Sequence, residues 1–219
     1  RWSLAETFEN IRKNNMLDIN LLRKDLPAVV ARLSRRKSPQ PYLDEARFVA
    51  LEAERKEIAA EQEQKDFARL EKEIKQALSE NKKLSGMKDQ VSVTRDKQGL
   101  RIEIIDKADF AMFPSGGNSM QGKAAALMAE IAASLKDMPN KVAIRGHTDS
   151  VPFSNKEGRN NWTLSAERAE ETRKNLERQG IQTNRFARIE GVADTVPYNP
   201  GDPKDPRNRR ISITVLNNN

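Results

Sequence analysis

Asp149 and Arg168 are the two residues whose types and surroundings best suit chemistry. Asp149 closes the run Gly146-His147-Thr148-Asp149, one residue after the apolar Val142, Ala143 and Ile144, which reads as a strand delivering polar groups at its mouth. Arg168 lies in Leu164-Ser165-Ala166-Glu167-Arg168-Ala169, where Ser165 reads as a helix N-cap and Arg168 falls in the first turn. An acid and a base are thereby presented by two rigid elements at one end of a sheet. A planar guanidinium suits bidentate carboxylate binding, and the N–H groups and dipole of a helix N-terminus favour the same anion. The same two residues would serve equally as an internal ion pair bracing the loop between them.

Other chemistries fit less well. His147 is the only histidine, and a packed or hydrogen-bonded strand-end imidazole explains it better than a catalytic base. A hydrolase would need His147, Asp149 and a serine such as Ser150 or Ser154 together, yet neighbours on a strand point to opposite faces. One histidine and no cysteine leave no residue set with metal-ligand spacing. The glycines of Ser115-Gly116-Gly117-Asn118 are not followed by the Lys-Ser of a phosphate-binding loop, so they read as a turn. No cofactor and no catalytic residue is expected.

The elements that position the pair follow from periodicity. Val91 and Val93 alternate with polar residues, Asp96-Lys97-Gln98-Gly99 is turn chemistry, and Leu100, Ile102 and Ile104 alternate again, which predicts a hairpin. A helix over 119–136 would turn Leu127, Met128, Ile131 and Leu135 inward. A strand over 142–146, a long loop, a helix over 165–179 stopped by Gly180, a strand over 186–191 and a last strand through Ile211, Ile213 and Val215 complete the series. Interleaved in this order, a βαβαβ unit plus a final strand makes a two-layer α/β (α+β) sandwich.

Upstream, residues 1–41 read as irregular or partly helical, with a helix over 4–15, an apolar stretch interrupted by Pro27, the basic run Arg35-Arg36-Lys37 and a break at Ser38-Pro39-Gln40-Pro41. Residues 42–88 read as a charged helical spacer. They hold no Gly or Pro before Lys83, and an apolar stripe passes through Phe67, Leu70, Ile74, Ala77 and Leu78, with Leu51 and Ile58 further up. Either a solvated rod held by pairs such as Glu71 with Lys75 or a dimer-forming coiled coil fits this stripe. At ~1.5 Å per residue the helix would reach roughly 60 Å. The compact domain is placed at 89–217.

Composition sets bounds. The chain has 219 residues, 37% hydrophobic and 32% charged, with a net charge of +7, so one compact core with a solvated extension is expected. The positive charge favours anionic surroundings such as nucleic acid, lipid head groups or cell-wall polymer without choosing among them. Aromatics at 5% and the lack of a nucleic-acid-binding motif disfavour a nucleic-acid partner. No stretch approaches the ~18 apolar residues of a membrane span.

Gly146-His147-Thr148-Asp149, then Leu164-Ser165-Ala166-Glu167-Arg168-Ala169, then Asn208-Arg209-Arg210-Ile211 resembles the motif series of OmpA-like peptidoglycan-binding domains. The long loop before Asn161-Trp162 resembles in particular the flagellar stator protein family MotB, in a lateral-flagellar version. The likeness covers roughly residues 100–216. It implies an OmpA-like βαβαββ domain, noncatalytic, that anchors a motor stator to the cell wall. In that family the positions matching Asp149 and Arg168 hold the diaminopimelate group of the stem peptide, which offers an ammonium and carboxylates close together. Thr148, Leu164 and Arg209 lie in the same motifs and are expected to line the groove, although Arg209, in phase with Ile211, also reads as a structural arginine. The family's transmembrane helix with its ion-binding Asp is not among these residues, so the chain is expected to be N-terminally truncated. A homodimer is a further expectation, and a MotA-like partner is implied only for a full-length parent. The family context is the periplasmic domain of an inner-membrane protein. Another wall-binding envelope protein of the OmpA or Pal kind is the alternative within the superfamily, and a basic nucleic-acid-binding protein the alternative outside it.

Overall fold

The computed structural model describes residues 18–36, 43–84, 86–107, 110–153 and 158–218. The helix expected over 4–15 and the proline break at 38–41 lie outside the described residues. The chain divides into two units, Arg1–Lys56 and Glu57–Asn219.

In the first unit, α1 (Ile19–Lys24) starts on Asp18, whose Oδ1 accepts from the Asn20 N–H at 2.8 Å. α2 (Leu26–Ser34) follows at once, because Asp25 caps it and Pro27 sits in the first turn, where a missing N–H costs nothing. The proline that interrupts the apolar run therefore helps to begin a helix. Arg23 forks onto the Glu52 carboxylate at 2.9–3.1 Å, an exposed pair of small energetic weight.

The boundary between units falls within α3 (Glu45–Glu80). In the second unit, Phe67, Leu70, Ile74 and Leu78 recur at three- and four-residue steps on one face, and all four are buried in the same core as the strands. Leu84 and Met87, between the helix and the first strand, join that core. Within the stretch read as a helical spacer, the part of α3 from Phe67 onward packs as a wall of the second unit. The stripe that suggested a coiled coil is occupied inside its own domain, whereas Leu51 and Ile58 are 53% and 59% exposed.

The sheet has β1 (Val91–Asp96), β2 (Gly99–Ile105), β3 (Val142–His147), β4 (Phe186–Gly191) and β5 (Arg210–Leu216), in the spatial order β1-β2-β5-β3-β4. Only β3 and β4 run parallel; the other neighbours are antiparallel. Alternation along the strands sends Ile102, Ile104, Ile144, Ile211, Ile213 and Val215 into the core and leaves Arg101, Glu103, Arg145, Arg210 and Ser212 on the opposite, polar face. α4 (Gly122–Leu135) turns Leu127, Met128, Ile131 and Leu135 inward as its spacing predicts. α5 (Asn161–Arg178) packs on β3 and β4. The two-layer α/β sandwich expected from the order of elements is the observed fold, with the first hairpin adding β1 at the sheet edge.

Candidate functional site

The strand order decides which side chains meet. β2, β5 and β3 are consecutive neighbours, and the chain just beyond the end of β2, just before β5 and just beyond β3 carries Asp106, Arg209 and Asp149. Arg209 donates from Nη1 to Asp149 Oδ2 at 2.8 Å and from Nε to Asp106 Oδ2 at 3.1 Å. The Asp106 N–H also donates to the Arg209 carbonyl at 3.0 Å, continuing the β2–β5 ladder by one bond. A row of acid, base, acid results.

α5 brings the second base. It can lie close to the sheet because Gly146 and Gly191 face each other across β3 and β4. A Cβ on Gly146 would stand 2.1 Å from the Ser165 carbonyl oxygen, and one on Gly191 2.3 Å from the Ala166 nitrogen. The helix starts at Asn161, not at Ser165 as the sequence suggested. Asn160 accepts from the Trp162 and Thr163 N–H groups at 3.0 and 3.2 Å, and Thr163 Oγ1 takes the Asn160 N–H at 2.8 Å, closing a capping box. Ser165 has different work: its hydroxyl donates to Trp162 O at 2.9 Å and accepts the Ala193 N–H at 3.0 Å. This tethers a turn in which Ala193 has φ +49°. Arg168 is therefore two turns into α5, beyond the reach of the end-group donors and dipole expected for it.

Arg168 and Asp149 do not form an ion pair with each other. Arg168 donates from Nε to Gly117 O at 3.0 Å and from Nη2 to Pro114 O at 3.2 Å, with its guanidinium 5.3 Å from the Phe113 ring centroid. No carboxylate lies in salt-bridge range of it among the described residues. The residue is 4% exposed. Burial lowers its pKa, opposed by the negative charge of Asp106 first and more weakly by that of Asp149; starting from an arginine's value, the group stays cationic. Burial works against the charge of Arg209 too, but Asp149 and Asp106 outweigh it and push its pKa up.

Arg168, Arg209, Asp149, Thr148 and Leu164, all five residues expected in the groove, line one cleft of about 350 Å³. Thr148 Oγ1 is buried and has no hydrogen-bond partner among the described residues. Asn161 Nδ2 holds the cleft's loop by donating to Val151 O at 3.0 Å and Asp149 O at 3.3 Å. Arg209 combines both readings open to it: it lines the cleft and is a structural arginine between two aspartates. Sequence reasoning missed Asp106, the polar residue directly after Ile104 and Ile105 at the end of β2; it also missed the carbonyls of Pro114 and Gly117, whose backbone role leaves no trace in residue type.

His147 points away from this chemistry. It is 3% exposed with Nδ1 unpartnered, and burial together with Arg210, Arg145 and Arg101 lowers its pKa to about 3. A neutral, packed imidazole results. The adjoining depression of the polar face, about 40 Å³, has room for water and little more.

A sheet flanked by helices on one face, with a charged cleft at the ends of β2, β5 and β3, defines a class, and sequence comparison agrees: residues 112–210 match the OmpA family. That stretch of the chain is an OmpA-family domain. Its likeness to Motility protein B of Escherichia coli K12 runs further, at 31% identity over 192 residues, taking in 85% of this chain and 62% of that protein. The chain thus spans under two thirds of that relative's length. Among solved structures, the cell wall anchor of the T6SS from Pseudomonas aeruginosa is 30% identical, with a TM-score of 0.51 over 59% of this chain and 90% of that one. A separate local likeness joins 22% of this chain to a Serine--tRNA ligase of Methylibium petroleiphilum, at 71% identity over 49 residues. Those residues are 11% of that enzyme, so a segment is shared rather than the enzyme.

Proposed function

We propose that this chain is a noncatalytic wall-anchoring module of a MotB-like stator protein, and that its cleft takes the diaminopimelate end of a peptidoglycan stem peptide. The observation that carries the reading is Arg168: a buried guanidinium whose hydrogen bonds among the described residues go to carbonyls, on a cleft that also holds Asp149. Charge-assisted hydrogen bonds contribute about 1.5–3 kcal/mol each before ordering costs. A ligand carboxylate on Arg168 and an ammonium on Asp149 would therefore supply modest affinity. Thr148 and Leu164 line the same cleft. Anchoring places the domain in the periplasm, and a homodimer would raise wall affinity by avidity. A MotA-like partner is implied only for a protein that also carries a membrane helix; no helix among the described residues is long and apolar enough to cross a membrane.

The likeness to a T6SS cell wall anchor over 90% of that chain favours a second reading, in which the same wall-binding cleft serves a secretion machine. The two differ in what is anchored, and the cleft chemistry is common to both. Co-sedimentation with isolated sacculi tests that chemistry. The parent chain is expected to pellet, and Asp149→Ala and Arg168→Ala proteins with unchanged circular dichroism are expected to remain in solution. Equal pelleting of all three would remove the cleft from wall binding.

A further inference from the structure

We propose that Asp106 is a positioning residue that sets the charge preference of the cleft, acting through Arg209; the inference rests on the wall-binding reading and names what makes the site selective for an amino-acid end. Asp106 is 3% exposed and does not line the cleft. Its Oδ1 accepts the Met112 N–H at 2.9 Å, and its Oδ2 accepts Arg209 Nε at 3.1 Å. Arg209 then reaches Asp149 Oδ2 through Nη1 at 2.8 Å, while Asp149 Oδ1 takes the Val151 N–H at 3.2 Å.

The consequence is one of charge balance. With Asp106 in place, two guanidinium groups and two carboxylates sum to zero, and Arg209 divides its attraction between two acids. Asp149 keeps acceptor capacity for a ligand ammonium, since each carboxylate oxygen can accept more than one hydrogen bond. Without the Asp106 charge, Arg209 would bind Asp149 alone and the cleft would carry a net positive charge. Such a cleft would still take carboxylates on Arg168 but would discriminate less for an ammonium.

The test is an NMR titration of the whole chain with diaminopimelate and with pimelate, which lacks the two amines. The wild-type chain is expected to prefer diaminopimelate. Asp106→Asn, whose side-chain oxygen still accepts the Met112 N–H, is expected to cut that preference about tenfold, in the range of measured couplings between contacting residues, without weakening pimelate. In an Arg209→Gln background the same change is expected to alter the preference no further, because its effect passes through Arg209. Should Asp106→Asn fail to fold, Arg209→Lys, which replaces the separate Nε and Nη1 donors that reach Asp106 and Asp149 with a single nitrogen, is expected to lose the preference likewise. An unchanged preference in the folded variant, or additive effects in the double variant, would overturn the role of Asp106 alone. A wild-type chain that binds neither compound would overturn the diaminopimelate reading and this inference with it.

Discussion

Gly146 and Gly191 lie opposite each other on the parallel strands β3 and β4, and the backbone of α5 passes directly over both. Neither position has room for a methyl group, and the atoms in the way are backbone atoms of Ser165 and Ala166 that cannot rotate aside. The pair thus sets the height of α5 above the sheet, and with it the place of Leu164 and Arg168 in the cleft. Gly146→Ala is expected to destabilise the domain by about 1–3 kcal/mol or more, as overpacking does. It should also weaken wall binding in the protein that remains folded. Urea denaturation beside sacculus binding would check both, and a stability within error of the parent would mean that α5 moves freely.

Arg168 offers a test that separates charge from shape. Arg168→Lys keeps the positive charge but cannot donate in parallel to Gly117 O, Pro114 O and a ligand carboxylate. Loss of charge-assisted bonds of about 1.5–3 kcal/mol corresponds to roughly 10- to 100-fold weaker binding of soluble muropeptide. Isothermal titration would measure it. Retained affinity would reduce the role of Arg168 to a point charge.

The pH dependence of stability is expected to carry the signature of His147. In the folded chain this imidazole takes a proton only near pH 3, whereas an unfolded histidine does so near about 6.5. Between those values the unfolded chain binds more protons, so the contribution of neutral His147 is complete above about pH 6.5 and is lost progressively as pH falls toward 3. At about 1.4 kcal/mol per unit the loss amounts to a few kcal/mol. His147→Gln removes the titration, and its melting temperature should fall less between pH 7 and pH 4.5 than that of the parent. Parallel profiles would show that other groups dominate acid unfolding.

The lower half of α3 is expected to behave as core and the upper half as surface. Phe67→Ala should cost about 3–5 kcal/mol and Ile74→Ala about 2–5 kcal/mol, the usual range for deleting a buried side chain. Leu51→Ala and Ile58→Ala, at exposed positions, should stay within about 0.5 kcal/mol. Chemical denaturation of the four proteins distinguishes a wall of the domain from a spacer. A neutral Phe67→Ala would return the whole helix to the spacer reading.

Much of the architecture is written locally. Two-residue alternation in β2 and β5 and the three- and four-residue steps of α4 place Ile102, Ile213, Leu127 and Ile131 without reference to anything distant. The three ordered motifs around Asp149, Arg168 and Arg209 likewise mark the cleft in sequence alone, and all three residues line it. Helix starts were less legible where polar residues competed. Asn160 and Thr163 form the capping box of α5, whereas the hydroxyl of Ser165, a plausible cap by type, is claimed by Trp162 and by Ala193 across the fold.

What only tertiary structure decided is the company each charge keeps. Asp149 had two candidate roles by composition, ligand group or partner of Arg168, and the structure pairs it with Arg209 instead. That choice follows from strand order: β5 enters between β2 and β3, so Arg209 arrives between Asp106 and Asp149. Arg168 is left facing carbonyls of the loop before α4. The stripe on α3 was equally ambiguous, because an apolar helix face specifies that it will be covered and not by what. Alternation and spacing are short-range properties of the chain and survive in its sequence. Pairing across 60 or 103 positions depends on how the sheet is assembled and exists only in the folded molecule.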